Sequence, residues 1–123
     1  LLALALGKIH MAGHGKLAWF VITEDMIKDA GASKEHVSGF TDTVRSIQGV
    51  EVAIMIHELS ENKTRLNFRS KGKVKINGLA RKFGGGGHQF AAGALVDKPL
   101  DIVREAIVAE GVSEIEHHLK KDF

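Results

Sequence analysis

Hydrophobic and polar residues change their spacing several times along the chain, and each change predicts a new element. Residues 1–11 are mostly apolar and predict a short helix that ends at the glycines of AGHGK. Residues 16–22, KLAWFVI, are continuously apolar after the lysine, which predicts a strand buried on both faces of a sheet. Thr23 is then the N-cap of a helix to about residue 30, and Ser33 the N-cap of a second helix. Apolar side chains recur along that second helix until Gly49: Val37, Phe40, Val44 and Ile47.

The middle of the chain changes to a period of two, which predicts strands. Residues 50–56 alternate with one better-buried face, and ELSENK forms a turn before residues 64–70 alternate again. On this second strand Leu66 and Phe68 face one side, and the other side carries polar and basic residues: Arg65, Asn67 and Arg69. The two segments predict an antiparallel hairpin with one basic face.

Helical spacing returns after KGK. Four apolar residues at i, i+3, i+4 and i+7 predict a short amphipathic helix that ends in a run of glycines: Ile76, Leu79, Ala80 and Phe83. AAGALV predicts a short strand that ends near Asp97, and Pro99 separates it from a long last helix. SEIE from Ser113 resembles a capping box that starts another turn or two. Together these elements predict an α/β fold, with a single mixed β-sheet of about four to five strands packed with helices.

Composition excludes several classes of protein and of site. A length of 123 residues corresponds to one domain, and 44% hydrophobic with 26% charged residues is typical of a globular chain. The chain has no cysteine, which excludes disulfides, thiolate metal sites and cysteine nucleophiles, and we expect a cytoplasmic protein. The apolar start LLALALG is far shorter than the ~18 residues of a spanning helix and follows no basic segment, so we expect no targeting signal and no membrane partner.

The net charge of +2 hides an uneven distribution of charge along the sequence. Between residues 63 and 96 there is no acidic residue, whereas eight residues are basic: Lys63, Arg65, Arg69, Lys71, Lys73, Lys75, Arg81 and Lys82. A solvated lysine-rich surface is one explanation. A cluster of this size favours an anionic ligand instead.

The same basic window contains four consecutive glycines followed by a histidine. Without side chains, these glycines can turn their backbone amides towards a phosphate oxygen, as in an anion-binding nest: Gly84, Gly85, Gly86 and Gly87. His88 can donate to the phosphate or stack on a base, and Arg69 can hold the phosphate with two parallel hydrogen bonds. Ser70 adds a hydroxyl. A flexible glycine turn and a histidine bonded to a backbone carbonyl are the alternatives without a ligand.

Other catalytic motifs do not match this sequence. GGGGHQ lacks the lysine and the serine or threonine of a P-loop, and its spacing differs from the dinucleotide-binding fingerprint. The remaining histidines form no HExxH motif, and no pair of carboxylates stands out. We therefore assign no metal ligand and no catalytic residue to this chain.

Two segments, VRSIQGVEVAIMIHE and FRSKGKVKINGLARKFGGGGHQFAAGA, carry a family resemblance. They resemble the C-terminal substrate-binding (DHH-associated) domain of DHH-family phosphoesterases, in particular the bacterial oligoribonuclease and pAp phosphatase (nanoRNase) subfamily. The resemblance extends from about residue 16 to residue 109 and depends on the arginine-serine pair and the glycine-histidine block. It implies that residues 1–15 are the end of an interdomain linker or helix and that residues 16–123 are the substrate-binding domain.

In that family an N-terminal DHH domain holds two manganese ions, which activate water to cleave a phosphoester. The resemblance implies that this chain binds the substrate while the chemistry takes place on the other domain, so that this chain alone is inactive. Arg69 and Ser70 would hold a phosphate, and Gly85 to Gly87 with His88 would hold the phosphate or a terminal nucleotide. The implied substrates are short oligoribonucleotides or 3'-phosphoadenosine 5'-phosphate. The implied partners are the DHH domain of the same polypeptide and, as a further option, a second copy in a homodimer.

Two other functions remain open at this point. One is a nucleic-acid-binding module without chemistry, like the related domain at the end of alanyl-tRNA synthetases. The other is the substrate lobe of a cyclic-dinucleotide phosphodiesterase or of a single-strand exonuclease, which share the glycine-histidine block. A clamp for short substrates should bind dinucleotides about as well as long strands, whereas a backbone-tracking module should bind longer strands more tightly.

Overall fold

The computed structural model describes residues 8–29 and 34–119 of the chain. In this part of the chain six strands form one sheet: β1 (His10–Ala12), β2 (Leu17–Thr23), β3 (Val52–Ser60), β4 (Lys63–Ser70), β5 (Gly86–Gly87) and β6 (Ala91–Val96). Four helices flank it over the same residues: α1 (Glu24–Asp29), α2 (Lys34–Arg45), α3 (Asn77–Lys82) and α4 (Leu100–Leu119). The strand order is β1-β2-β3-β4-β6-β5. β2 and β3 are parallel, and the other neighbouring strands are antiparallel.

The predicted α/β fold with a single mixed sheet is confirmed, but the sheet has six described strands rather than four to five. The two additional strands are short: β1 has three residues and β5 has two. Neither is long enough for an alternating pattern to be recognised in the sequence. The predicted hairpin of β3 and β4 is also confirmed, with Ser60 opposite Lys63 at its turn.

The helix predicted over residues 1–11 is wrong at its end, and residues 1–7 lie outside the described residues. His10–Ala12 form β1, which pairs antiparallel with β2 so that His10 lies opposite Trp19. The imidazole and indole rings stack with their centroids 4.3 Å apart. The connecting turn has positive φ at three successive residues: Gly13, His14 and Gly15. This left-handed turn therefore joins two strands instead of ending a helix.

Helices cover both faces of the sheet and create two hydrophobic cores. On one face, the α3–α4 face, the buried side chains include Ile54 and Phe68. On the other, the α1–α2 face, they include Phe20 and Met55. Because both faces are covered, six successive residues of β3 are buried, and the expectation of one better-buried face is wrong for this strand. β2 is buried or half-buried along its whole length, in accord with its apolar sequence.

The ends of the helices agree with the sequence only in part. Oγ1 of Thr23 accepts a hydrogen bond from the amide of Met26 at 3.1 Å, which confirms the predicted N-cap of α1. α2 ends at Arg45 rather than at Gly49. After that point the amides of Ile47 and Val50 donate to carbonyls three residues earlier, instead of four residues earlier as in an α-helix. Ser33, the predicted N-cap of α2, lies outside the described residues.

α4 is one continuous helix, so the capping box predicted at Ser113 does not begin a separate element. Its middle contains the buried Gly111, where an added Cβ would lie 3.2 Å from Cδ2 of Leu17 on β2. The missing side chain lets the helix approach the sheet closely. Packing of α4 against β2 thus explains why a residue that weakens helices is found at this position.

Candidate functional site

Part of the sheet stays accessible on the α1–α2 face, beyond α2. Alternate residues of β4 point to this side, because their partners on β3 belong to the core beneath α1 and α2. The surface is completed by β6, which pairs with β4, and by β5, which pairs with the other side of β6. We call it the open face and define it by eight residues: Arg65, Asn67, Arg69, Gly86, His88, Ala91, Gly93 and Leu95. Ala91 and Gly93 form its floor, so a ligand can lie close to the backbone of β6.

The glycine tract follows α3 and borders the open face. Gly86 and Gly87 pair with β6 as a short strand, where the sequence predicted a loop. Gly85 and Gly87 lie so close to β6 on the α3–α4 side that a Cβ on Gly87 would be 2.7 Å from Cα of Ala92. An added Cβ on Gly86 would meet nothing within 4 Å. Packing therefore requires glycine at positions 85 and 87, whereas the backbone of Gly86 is open to solvent.

Backbone hydrogen bonds determine which amides of the tract remain for a ligand. The amides of Gly84 and Gly85 donate to carbonyls in the last turn of α3, at 3.0 and 2.9 Å. The amide of His88 donates to the carbonyl of Ala91 at 2.8 Å. A nest that includes the amides of Gly84 and Gly85, as predicted, is therefore not formed, because these amides close the end of the helix.

Arg69 lies on the open face and is held from two directions. Its Nη1 donates to the carbonyl of Phe68 at 2.8 Å, and its Nε lies 3.4 Å from Oδ1 of Asp42 on α2. A guanidinium has five N–H donors, so these contacts leave three for a ligand. The side chain is 22% exposed. A fixed and partly exposed guanidinium of this kind is suited to binding a phosphate.

His88 lies across β6 from Arg69. Ala91 is opposite Arg69 in the pairing of β4 with β6, and the amide of His88 donates to Ala91 from the other side. Two strand spacings, about 10 Å, therefore separate the backbones of Arg69 and His88. The imidazole is exposed and makes no hydrogen bond to any described residue. A guanidinium and an imidazole thus flank a floor of small residues.

Ser70 is next to Arg69 in the sequence but lies on the opposite face of the sheet. It is 4% exposed and pairs with Val52, a residue of the α3–α4 core. Its Oγ accepts a hydrogen bond from the amide of Gly72 at 3.2 Å. The structure therefore does not bring the Ser70 hydroxyl together with the Arg69 guanidinium, because successive residues of a strand point to opposite sides.

Only part of the basic window contributes to the open face. Arg65 and Arg69 belong to it, whereas Lys82 lies on α3 and pairs with Glu110 of α4 at 3.2 Å. Lys71 donates to a backbone carbonyl after α2 at 2.8 Å. The fold thus distributes the basic residues over more than one surface, and β4 carries Arg65 and Arg69 on the same face.

Two residues of this region had no assigned role in the sequence analysis. Asn67 lies between Arg65 and Arg69 on the open face, and the alternation of β4 is a signal that could have identified it. Asp42 contacts Arg69, but its position depends on how α2 packs against the sheet. No sequence pattern indicates that contact.

Within residues 8–29 and 34–119, no group of three or more His, Asp or Glu side chains is arranged to hold a metal ion. Among the helices described there, none combines the length and the apolar content needed to cross a bilayer.

A known protein of similar sequence is the bifunctional oligoribonuclease and PAP phosphatase NrnA of Bacillus subtilis. The two are 39% identical over 75 residues, which are 61% of this chain and 23% of that protein. The chain spans only 23% to 32% of the length of three curated relatives.

Two solved structures resemble the fold. An exopolyphosphatase-related protein from Bacteroides fragilis has a TM-score of 0.84 at 22% identity, over 97% of this chain and 35% of that one. The C-Ala domain from Aquifex aeolicus alanyl-tRNA synthetase has a TM-score of 0.61 at 16% identity, over 85% of this chain and 96% of that one. At these identities the likeness shows the fold alone.

The family model of the DHHA1 domain matches residues 14–116. The matched segment contains β2 to β6 and all eight residues of the open face. The resemblance that the arginine-serine pair and the glycine-histidine block indicated is thereby confirmed. The chain belongs to the DHHA1 domain family, the C-terminal domain of DHH proteins, with curated relatives that are oligoribonuclease and PAP phosphatases.

Proposed function

We propose that this chain is the substrate-binding domain of a metal-dependent phosphoesterase that hydrolyses short oligoribonucleotides, 3'-phosphoadenosine 5'-phosphate, or both. The open face holds the substrate phosphate between Arg69 and His88, and Gly86 lets the ligand approach the backbone of β5. The observation that carries this proposal is the guanidinium and the exposed imidazole on either side of Ala91. Four further residues support the phosphate site without touching the phosphate: Ser70, Gly84, Gly85 and Gly87.

Substrate binding and chemistry lie on separate domains in this proposal. Two manganese ions on an N-terminal DHH domain of the same polypeptide supply the activation of water when bound. The residues of this chain bind and orient the substrate. Arg69 neutralises phosphate charge, and a ring nitrogen of His88 donates a hydrogen bond to the same group. The chain alone therefore binds nucleotides without hydrolysing them.

The binding part of the proposal is tested with a 5'-phosphorylated dinucleotide and isothermal titration calorimetry. Arg69→Ala and His88→Ala each weaken binding about fivefold or more, because each removes a hydrogen bond to a charged group. Arg81→Ala is the matched control, since Arg81 is exposed on α3 and its loss changes the net charge equally. If Arg69→Ala and Arg81→Ala lowered the affinity equally, the loss would be due to net charge alone. The assignment of Arg69 to the substrate phosphate would then be wrong.

The enzymatic part is tested on the parent protein, the longer polypeptide that in this proposal contains both the DHH domain and this chain. Release of mononucleotides from short RNA is measured with and without manganese, for the parent and for this chain. We expect manganese-dependent release by the parent, no release by this chain, and slower release by the parent when Arg69 is replaced. Release by this chain alone would show that its own residues carry out the chemistry.

A second candidate function is an RNA-binding module without chemistry. It is favoured by the likeness of the fold to the alanyl-tRNA synthetase C-Ala domain, 96% of which is covered. Ligand length separates the two functions. A clamp for short substrates binds dinucleotides about as well as long strands, whereas a module that follows the backbone gains affinity with length and loses it steeply with salt.

A further inference from the structure

A depression of about 380 Å³ lies on the open face, next to the proposed phosphate site. Its lining includes Arg65, Asn67, Gly85, Gly93 and Leu95, and none of the residues proposed to hold the phosphate. Its position on β4 and β6 makes it continuous with the surface around Arg69.

The floor of the depression is the bare backbone of Gly93. A Cβ at this position would lie 3.1 Å from the carbonyl oxygen of Leu66 and 3.3 Å from Oδ1 of Asn67. The carboxamide of Asn67 thus lies against the glycine. A flat ring above Gly93 would have this carboxamide at its edge.

The carboxamide of Asn67 is partly exposed and makes no hydrogen bond to any described residue. It offers one acceptor oxygen and an NH2 group with two donors. A nucleobase edge presents donors and acceptors side by side, and asparagine pairs with such an edge in nucleic-acid recognition. The free amide therefore fits a nucleobase better than a second phosphate, which offers no donor.

The end of the depression provides two side chains against which a ring can pack. Leu95 is 45% exposed and lies opposite Arg65 in the register of β4 and β6. An aliphatic side chain and the plane of a guanidinium are both groups against which bases pack. The charge of Arg65 also keeps the surrounding potential favourable for an anionic chain.

The distance to the phosphate site suits one nucleotide. Asn67 and Arg69 are two residues apart on the same face of β4, which places their backbones about 7 Å from each other. We propose, on the basis of the proposed function, that this depression binds the base of the nucleotide whose 5'-phosphate lies at Arg69. Asn67 contacts its edge, Gly93 forms the floor, and Leu95 packs against the ring.

The test compares two ligands by calorimetry: a 5'-phosphorylated dinucleotide, and the same dinucleotide with an abasic 5' residue. Asn67→Ala weakens binding of the intact ligand about three- to tenfold and leaves the abasic ligand unchanged, because only the intact ligand reaches the carboxamide. Leu95→Ala acts in the same direction and serves as a second variant. Asn62→Ala, in the exposed turn between β3 and β4, is the matched control and changes neither affinity.

The outcomes separate this inference from the phosphate site. Arg69→Ala weakens both ligands if the phosphate site is right, and leaves both unchanged if it is wrong. The Asn67→Ala comparison is independent of that result. An equal loss for both ligands, or no loss for either, with the thermal midpoint of the variant unchanged, overturns the nucleoside subsite.

Discussion

Nε of Arg69 lies 3.4 Å from Oδ1 of Asp42, so a carboxylate of α2 touches the guanidinium of the proposed phosphate site. The same carboxylate oxygen is 3.5 Å from Nη2 of Arg45. Asp42 therefore has two opposing effects on an anionic ligand. It holds the guanidinium in one orientation, and its negative charge repels the phosphate.

Substitutions at Asp42 separate these two effects. Asp42→Asn and Asp42→Ala both remove the negative charge, but only asparagine keeps an oxygen that accepts from Nε of Arg69. We expect Asp42→Asn to bind a 5'-phosphorylated dinucleotide about two- to tenfold more tightly than Asp42→Ala. In Asp42→Ala the ligand must also order the mobile side chain of Arg69, and this ordering costs affinity. Calorimetry on both variants measures the ratio, and equal affinities would show that Asp42 does not orient Arg69.

Ser70→Ala tests whether Ser70 and Arg69 point to opposite faces of the sheet. The buried hydroxyl accepts from the amide of Gly72 and faces the α3–α4 core. We expect the substitution to lower the free energy of unfolding by about 1 kcal/mol, the typical value of one hydrogen bond, and to leave dinucleotide affinity unchanged. Urea denaturation and calorimetry check the two parts. A loss of affinity as large as that of Arg69→Ala would place the hydroxyl in contact with the substrate.

Thr41 on α2 carries a hydroxyl that is buried inside the protein. The residue is 0% exposed, and within the described part of the chain its Oγ1 makes no hydrogen bond. Valine has nearly the same shape and lacks the polar atom, so Thr41→Val should raise the free energy of unfolding by about 1 kcal/mol.

Thr43→Val provides the matched control on the same helix. Oγ1 of Thr43 is exposed and donates to the carbonyl of Gly39 at 3.3 Å, so its replacement should change stability little. Urea denaturation of both variants gives the comparison. If Thr41→Val were less stable than Thr43→Val, the Thr41 hydroxyl would have to make a hydrogen bond in solution.

Elements with long periodic patterns could be predicted because the period of the backbone decides which side chains share a face. On β4 the alternation placed Phe68 in the core and Arg69 on the opposite side, as the structure confirms. The same rule already implied that Ser70 faces away from Arg69. Adjacency in the sequence suggested a joint site, although two neighbouring strand residues cannot both turn to one ligand.

Contacts between distant segments were not predictable, since they depend on packing rather than on local pattern. β1 was interpreted as helix because the stacking of His10 on Trp19 is formed only when the chain folds back. The amides of Gly84 and Gly85 were assigned to a ligand, but the end of α3 uses them. The residues predicted as a binding site therefore lie on β4 and in the glycine tract, whereas their hydrogen bonds could be known only from the structure.

The glycine tract gives the last prediction, because its members differ in what a methyl group would meet. At Gly85 an added Cβ would overlap the carbonyl oxygen of Gly93 and lie 2.6 Å from Cα of Ala94. At Gly86 it would meet nothing within 4 Å, and φ there is compatible with alanine. We expect Gly85→Ala to lower the free energy of unfolding by more than ~2 kcal/mol, since backbone atoms cannot move aside without breaking β6.

Gly86→Ala should instead leave stability unchanged or raise it by up to ~1 kcal/mol, because alanine reduces the entropy of the unfolded chain. Its methyl group would project from β5 onto the open face, where the proposed ligand approaches the backbone. We therefore expect weaker binding of a 5'-phosphorylated dinucleotide in a variant that is as stable as the unsubstituted chain. Urea denaturation and calorimetry on the same preparations separate the two effects, and unchanged affinity of Gly86→Ala would mean that the ligand does not come near β5.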